Sequence, residues 1–77
     1  MDRLILYTTE GCHLCEVGAA LLRSMPELSR TPIVEIDIAT DDALLQRYGT
    51  RIPVVACEGR ERAWPFNADD VLALLSS

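Results

Sequence analysis

Cys12 and Cys15 are separated by His13 and Leu14 in the stretch TTEGCHLCEV. Two thiols at this spacing can grip a soft metal, staple a small fold, or pass an electron pair by closing and opening a disulfide. On a helix, residues three apart are neighbours, with Cβ atoms about 5–6 Å apart. A disulfide wants Cα atoms about 4.4–6.8 Å apart, so the bond can close with little backbone movement. The chain has three cysteines, an odd number that fits a stapling framework poorly. A structural zinc site takes about four N or S ligands. Only Cys57 and His13 remain to complete one, and His13, lying between the cysteines, is badly placed to join the same tetrahedron. A redox dithiol is the reading the residues favour, because C-x-x-C beside a β-α-β pattern is a redox signature. The motif itself calls for no metal and no cofactor.

The two thiols are not equivalent. Cys12 falls at the N-terminal edge of the expected helix, near unpaired backbone N–H groups and the positive end of the dipole. Both favour the thiolate, which is the reactive form. The dipole alone supplies roughly 0.3–1 kcal/mol, less than one pKa unit at about 1.36 kcal/mol per unit. A strong shift needs direct hydrogen bonds to the Cys12 sulfur. Glu10 and Glu16 oppose the shift, and His13 helps only when protonated. Cys15 lies one turn further in and is expected to be more covered. Cys12 is therefore the expected attacking thiol and Cys15 the resolving one.

The elements that must hold this pair can be read along the chain. RLILYTT (3–9) suits a buried strand, and Glu10-Gly11 breaks it. A helix is expected from about Cys12 to Met25, with Leu14, Gly18, Leu21 and Met25 on its buried stripe and Val17 and Leu22 flanking it. Pro26 ends it. Gly18 costs about 1 kcal/mol relative to alanine, so close packing against the sheet is expected there. TPIVEIDI (31–38) alternates as a second strand. Thr40 is a candidate N-cap for a second helix bearing Leu44, Leu45 and Tyr48, with Gly49 at C′. IPVVACEGRERAW (52–64) reads as a hairpin turning at Glu58-Gly59. Asn67 caps a last helix, with Phe66 and Val71 placed as a hydrophobic staple. The order is β-α-β-α-β-β-α: one α/β domain over residues 1–77, with a four-stranded mixed sheet flanked by three helices.

Composition bounds the function. Seventy-seven residues, 49% hydrophobic and 25% charged, are globular rather than disordered in character. The core must be mostly aliphatic, since Tyr7, Tyr48, Trp64 and Phe66 are the aromatics. The net charge is −5, and all seven basic residues are arginine. That argues against nucleic acid or an anionic membrane as partner. The longest apolar run falls far short of the ~20 residues of a membrane span. LILY (4–7) is too short for the core of a signal peptide. A cytoplasmic protein is expected, where structural disulfides are rare, and a monomer.

With this element order and TEGCHLC before the helix, the chain resembles the glutaredoxin-like branch of the thioredoxin superfamily over essentially its whole length. Two motifs carry the resemblance: Cys12-His13-Leu14-Cys15, and Arg51-Ile52-Pro53-Val54 at the start of the third strand. The resemblance implies a thioredoxin/glutaredoxin-like fold and a thiol–disulfide oxidoreductase acting through Cys12 and Cys15. It also implies that Pro53 is cis and faces the dithiol, and that the Ile52 backbone pairs with substrate as an added strand. His13, within the motif, joins the expected substrate contacts. Two departures bear on the partner. Glutathione-using glutaredoxins resemble one another in a lysine three residues before the first cysteine, where this chain has Thr9. They also share a Gly-Gly pair after the last strand, where this chain has Ala63-Trp64-Pro65-Phe66. A disulfide-containing protein or a small thiol is the expected partner, and glutathione is a doubtful co-substrate. Thioredoxins proper carry Trp-Cys-Gly-Pro-Cys, also absent here.

The other candidates have plainer readings. Cys57, in the third strand, reads as a small buried apolar group before it reads as a third redox thiol. Trp64 and Phe66 read as core and staple before they read as a substrate platform. Asp41-Asp42 and Asp69-Asp70 are helix-start charges. Two alternatives to turnover stay open at this point. One is a metal module of the copper-chaperone kind, whose βαββαβ order ends on a strand and whose soft thiolates suit Cu(I). The other is a thiol module that docks partners through the Pro53 surface without exchanging electrons.

Overall fold

The computed structural model describes residues 3–76. Strand β1 is Leu4–Thr8, helix α1 His13–Ser24, strand β2 Ile33–Asp37, helix α2 Asp42–Tyr48, strands β3 Val54–Cys57 and β4 Arg60–Ala63, and helix α3 Ala68–Ser76. Short 3₁₀ turns at Pro26–Leu28 and Ile38–Thr40 flank β2. The sheet order is β2-β1-β3-β4. β1 and β2 run parallel, with Leu4 beside Ile33 and Thr8 beside Asp37. β1–β3 and β3–β4 are antiparallel. This is the expected mixed sheet with three helices, and the fold is thioredoxin-like.

Strand alternation sends neighbouring residues to opposite faces of the sheet. Leu4 and Leu6 of β1, with Val55 and Cys57 of β3, form one face. Ala19 and Leu22 of α1 and Met25 just after it pack on it together with Val71 and Leu74 of α3. The other face is smaller. There Val54 meets Tyr48 of α2 and Ile38, with Tyr7 and Ile52 at its margin.

Helix α1 starts as expected but presents a different stripe. Met25 ends it in extended geometry, φ −85° and ψ 114°, as the residue before a proline must. The buried residues of the helix are Cys15, Gly18, Ala19 and Leu22. Leu14 is 46% exposed and Val17 40%. The expected stripe is thus turned by about one residue. The helix rotates to bring Cys15 and Gly18 against the sheet, and the larger Leu14 yields the inner face to the sulfur.

The caps correct two further expectations. Asp41, not Thr40, is the N-cap of α2: its Oδ1 accepts from Ala43 N at 2.8 Å and Leu44 N at 3.4 Å. Thr40 belongs to the preceding 3₁₀ turn, where its hydroxyl donates to the Asp37 carbonyl at 2.8 Å. Gly49 is not left-handed: it closes α2 with φ −51°. Leu45 of α2 is 46% exposed. The hairpin turns at Glu58-Gly59, whose φ values of 50° and 82° are both positive, as a two-residue type I′ connection requires. Asn67 caps α3 reciprocally: its Oδ1 accepts from Asp70 N at 2.9 Å, and Asp70 Oδ2 accepts from Asn67 N at 3.0 Å. Phe66 and Val71 both enter the main core.

Candidate redox site

Cys12 and Cys15 form a disulfide across the first turn of α1, with Cα atoms 5.2 Å apart. Cys12 is the N-cap, in extended geometry at φ −94° and ψ 104°. Gly11 just before it has φ 74°, a left-handed value that suits glycine and delivers the chain into the cap. The Cys15 backbone N–H points at the Cys12 sulfur, with N and Sγ 3.1 Å apart. This is the direct hydrogen bond that the dipole alone could not replace. An N–H donor aimed at the sulfur stabilises the thiolate once the bond is reduced. Cys15 is 2% exposed, whereas Cys12 is only partly covered. Cys12 is therefore the more exposed residue of the pair and Cys15 the sheltered one.

Pro53 packs against Gly18, one turn further along α1. It is buried, and the Ile52–Pro53 bond is cis, as the resemblance implied. A Cβ placed on Gly18 would lie 3.0 Å from Pro53 Cγ and 3.5 Å from Phe66 Cζ. Gly18 follows Cys15 by three residues on the same helix face, so the glycine lets the proline ring approach the turn that carries the dithiol. Trp64 N donates to the Pro53 carbonyl at 2.9 Å. The Trp64 and Phe66 rings meet edge to face, their centroids 5.1 Å apart. These rings occupy the stretch where a Gly-Gly pair was the alternative. Trp64–Pro65 is a second cis bond, for which the sequence offered no signal beyond the proline.

Ile52 is half-buried, and its backbone N–H donates to the Tyr48 carbonyl at 3.1 Å. A substrate strand at this position would use the Ile52 carbonyl or displace that bond. His13 opens α1 and is exposed. Cys57 is 3% exposed within the main core, which matches its plainer reading.

A groove of about 600 Å³ opens beside the disulfide, between α1 and the edge strand β2. Cys12 and Cys15 lie in its wall together with Glu10, Glu16, Glu35 and Asp37. Glu35, Asp37 and the neighbouring Arg23 were missed in the sequence. Parallel pairing of β1 with β2 sets Asp37 beside Thr8, at the sheet end where the dithiol begins. Asp37 Oδ1 accepts from Thr9 Oγ1 at 3.0 Å and from Ala39 N at 2.9 Å. Thr9, at the position where glutathione users carry lysine, is thereby tied to a carboxylate.

Known proteins supply the wider setting. A family model described as glutaredoxin-like domain (DUF836) matches residues 3–76. The chain belongs to this glutaredoxin-like family. Among solved structures it is similar to the structural-genomics target XcR50 from X. campestris. The X-ray structure of XcR50 is 36% identical over 94% of this chain and 93% of that one, with a TM-score of 0.79. The solution NMR structure of Ne2328 from Nitrosomonas europaea is 32% identical over 92% of this chain and 87% of that one, with a TM-score of 0.78. No curated protein matches significantly. In this glutaredoxin-like chain, a cysteine pair at disulfide distance fits a thiol redox module.

Among the described residues, no three His, Cys, Asp or Glu side chains converge on one point. Strand β2 is followed by helix α2 rather than by another strand, unlike the βαββαβ order of the copper-chaperone kind. Among the described residues, no helix is long and apolar enough to cross a membrane.

Proposed function

We propose that this protein is a thiol–disulfide oxidoreductase that carries electrons through the Cys12–Cys15 pair. One observation carries the reading: a disulfide whose partly exposed sulfur caps a helix and receives the N–H of its own buried partner residue. In the reduced protein, the Cys12 thiolate attacks a substrate disulfide. A Cys12–substrate disulfide forms and one substrate thiolate leaves. Cys15 loses its proton and attacks the Cys12 sulfur, releasing the second substrate thiolate. Two electrons have passed to the substrate, and the protein is left in the disulfide form. A thiol donor then returns it to the dithiol by the same steps reversed.

In this proposal the substrate is a disulfide-containing protein or a small thiol compound, met by Ile52, Pro53 and His13 around the dithiol. The Thr9 and Trp64-Pro65-Phe66 departures support weak use of glutathione. The net charge of −5 supports a partner other than nucleic acid or an anionic membrane. We assign the exchange to the cytoplasm, where thiol pools are kept reduced, and to a monomer.

The test uses two variants and a model disulfide. Cys15→Ser should accumulate mixed disulfides on Cys12, visible by mass spectrometry, because the resolving thiol is gone. Cys12→Ser should lose at least about 99% of the exchange rate, since the sheltered thiol cannot take its place. Exchange by Cys12→Ser at the normal rate would defeat the assignment. Partner binding that persists without exchange in the wild-type protein would instead mark a docking module.

A further inference from the structure

The groove beside the disulfide carries a predominantly acidic lining. Glu10 and Glu16 flank the cysteine motif, and Glu35 and Asp37 face them from β2. Among the described residues lining the groove, Arg23 is the one basic side chain. Its charge is already matched, because Arg23 Nη2 lies 2.7 Å from Glu35 Oε2. The remaining arginines with resolved contacts are occupied elsewhere. Arg47 and Arg51 stand 5.3 and 6.0 Å from the centre of the Tyr48 ring, on the opposite face of the sheet. Arg60 donates to the Leu74 carbonyl at 2.7 and 3.0 Å, and Arg62 lies 3.5 Å from Asp70.

A substrate whose sulfur sits over Cys12 must lay its adjoining residues somewhere. At about 600 Å³ the groove has room for several side chains, and both cysteines lie in its wall. With four carboxylates against one arginine the lining is net negative, and such a cleft concentrates ligands of the opposite sign and speeds their encounter. We propose that the groove selects disulfides set in cationic polypeptide segments, with Lys or Arg beside the reacting cysteine, and turns away anionic ones. The inference rests on the oxidoreductase reading and names the substrate class for the same site. The electron balance is unchanged: the protein dithiol becomes a disulfide as the cationic substrate disulfide becomes two thiols, and no third reactant enters.

The experiment mixes reduced protein with synthetic peptides. Each peptide carries one disulfide loop and differs only in flanking Lys, Ser or Glu pairs. Hydroxyethyl disulfide, which is small and neutral, serves as the reference substrate. At low salt the rates should fall in the order Lys, Ser, Glu, with at least about a fivefold span. At ~0.5 M salt the span should shrink to about twofold or less, as screening requires. Glu16→Gln combined with Glu35→Gln should flatten the order, read as each peptide's rate divided by the same variant's hydroxyethyl disulfide rate. Glu27→Gln removes the same kind of charge outside the groove and should leave the order intact. Equal rates for the three peptides, or a preference for Glu, would overturn the inference while hydroxyethyl disulfide still exchanged. Failure of that reference substrate as well would sink the oxidoreductase reading beneath it.

Discussion

Gly18 shows how much of this site depends on an absent side chain. Alanine at this position would gain up to about 1 kcal/mol of helix propensity. Its Cβ would also press to 3.0 Å from Pro53 Cγ, and overpacking of this kind costs about 1–3 kcal/mol. Gly18→Ala should therefore lose about 1 kcal/mol net, seen as a lower urea midpoint with an unchanged slope. It should also slow exchange, because Pro53 or the first turn of α1 must give way. A raised midpoint would mean that the proline ring is not a fixed wall. The sequence showed that Gly18 needed a packing reason but not which residue supplied it. Pro53 is remote in the chain, and only the crossing of α1 over the sheet brings them together. The cysteine pair was legible because its chemistry is local. The burial of Cys15 in place of Leu14 was not, since a stripe drawn from hydrophobicity gives a leucine priority over a thiol.

Among the elements, α2 relies most on its anchor. A helix of seven residues, Asp42–Tyr48, has little stability of its own. Tyr48, 2% exposed, fixes its end to the sheet. Its ring stacks on Tyr7 with centroids 4.2 Å apart, and its hydroxyl donates to the Glu61 carboxylate. Burial holds the Tyr48 phenol above its usual value of 10.0, and the hydrogen bonds with Glu61 and Tyr7 add to the shift. A raised folded-state pKa means that the unfolded chain loses this proton first. The stabilisation from Tyr48 is thus fully present below about pH 10 and is lost as pH rises further, by up to about 1.4 kcal/mol per pH unit. Urea midpoints for the disulfide form should fall between pH 10 and 11, and Tyr48→Phe should flatten that fall. Equal slopes in the two proteins would contradict the role given to this phenol. The sequence reading placed the start of α2 one residue early. Thr40 and Asp41 are both good caps, and only the preceding 3₁₀ turn decides between them.

At the scale of the whole molecule, the element order and the hairpin followed from local patterns. The strand order β2-β1-β3-β4 did not, because pairing partners are set by tertiary packing. Neither did the acidic groove, which exists only once β2 lies parallel to β1. The architecture gathers a helix start, a buried proline and a net-acidic groove near two sulfurs of unequal exposure. Its central claim is that Cys12 is the ionised, accessible thiol and Cys15 the sheltered one. The most direct measurement is alkylation of the reduced protein across pH, with the modified cysteine identified by mass spectrometry. Cys12 should react first, along a curve centred below the ordinary thiol value of about 8.5, while Cys15 stays protected until the protein is denatured. A curve centred at or above that value, or Cys15 modified as fast as Cys12, would contradict it.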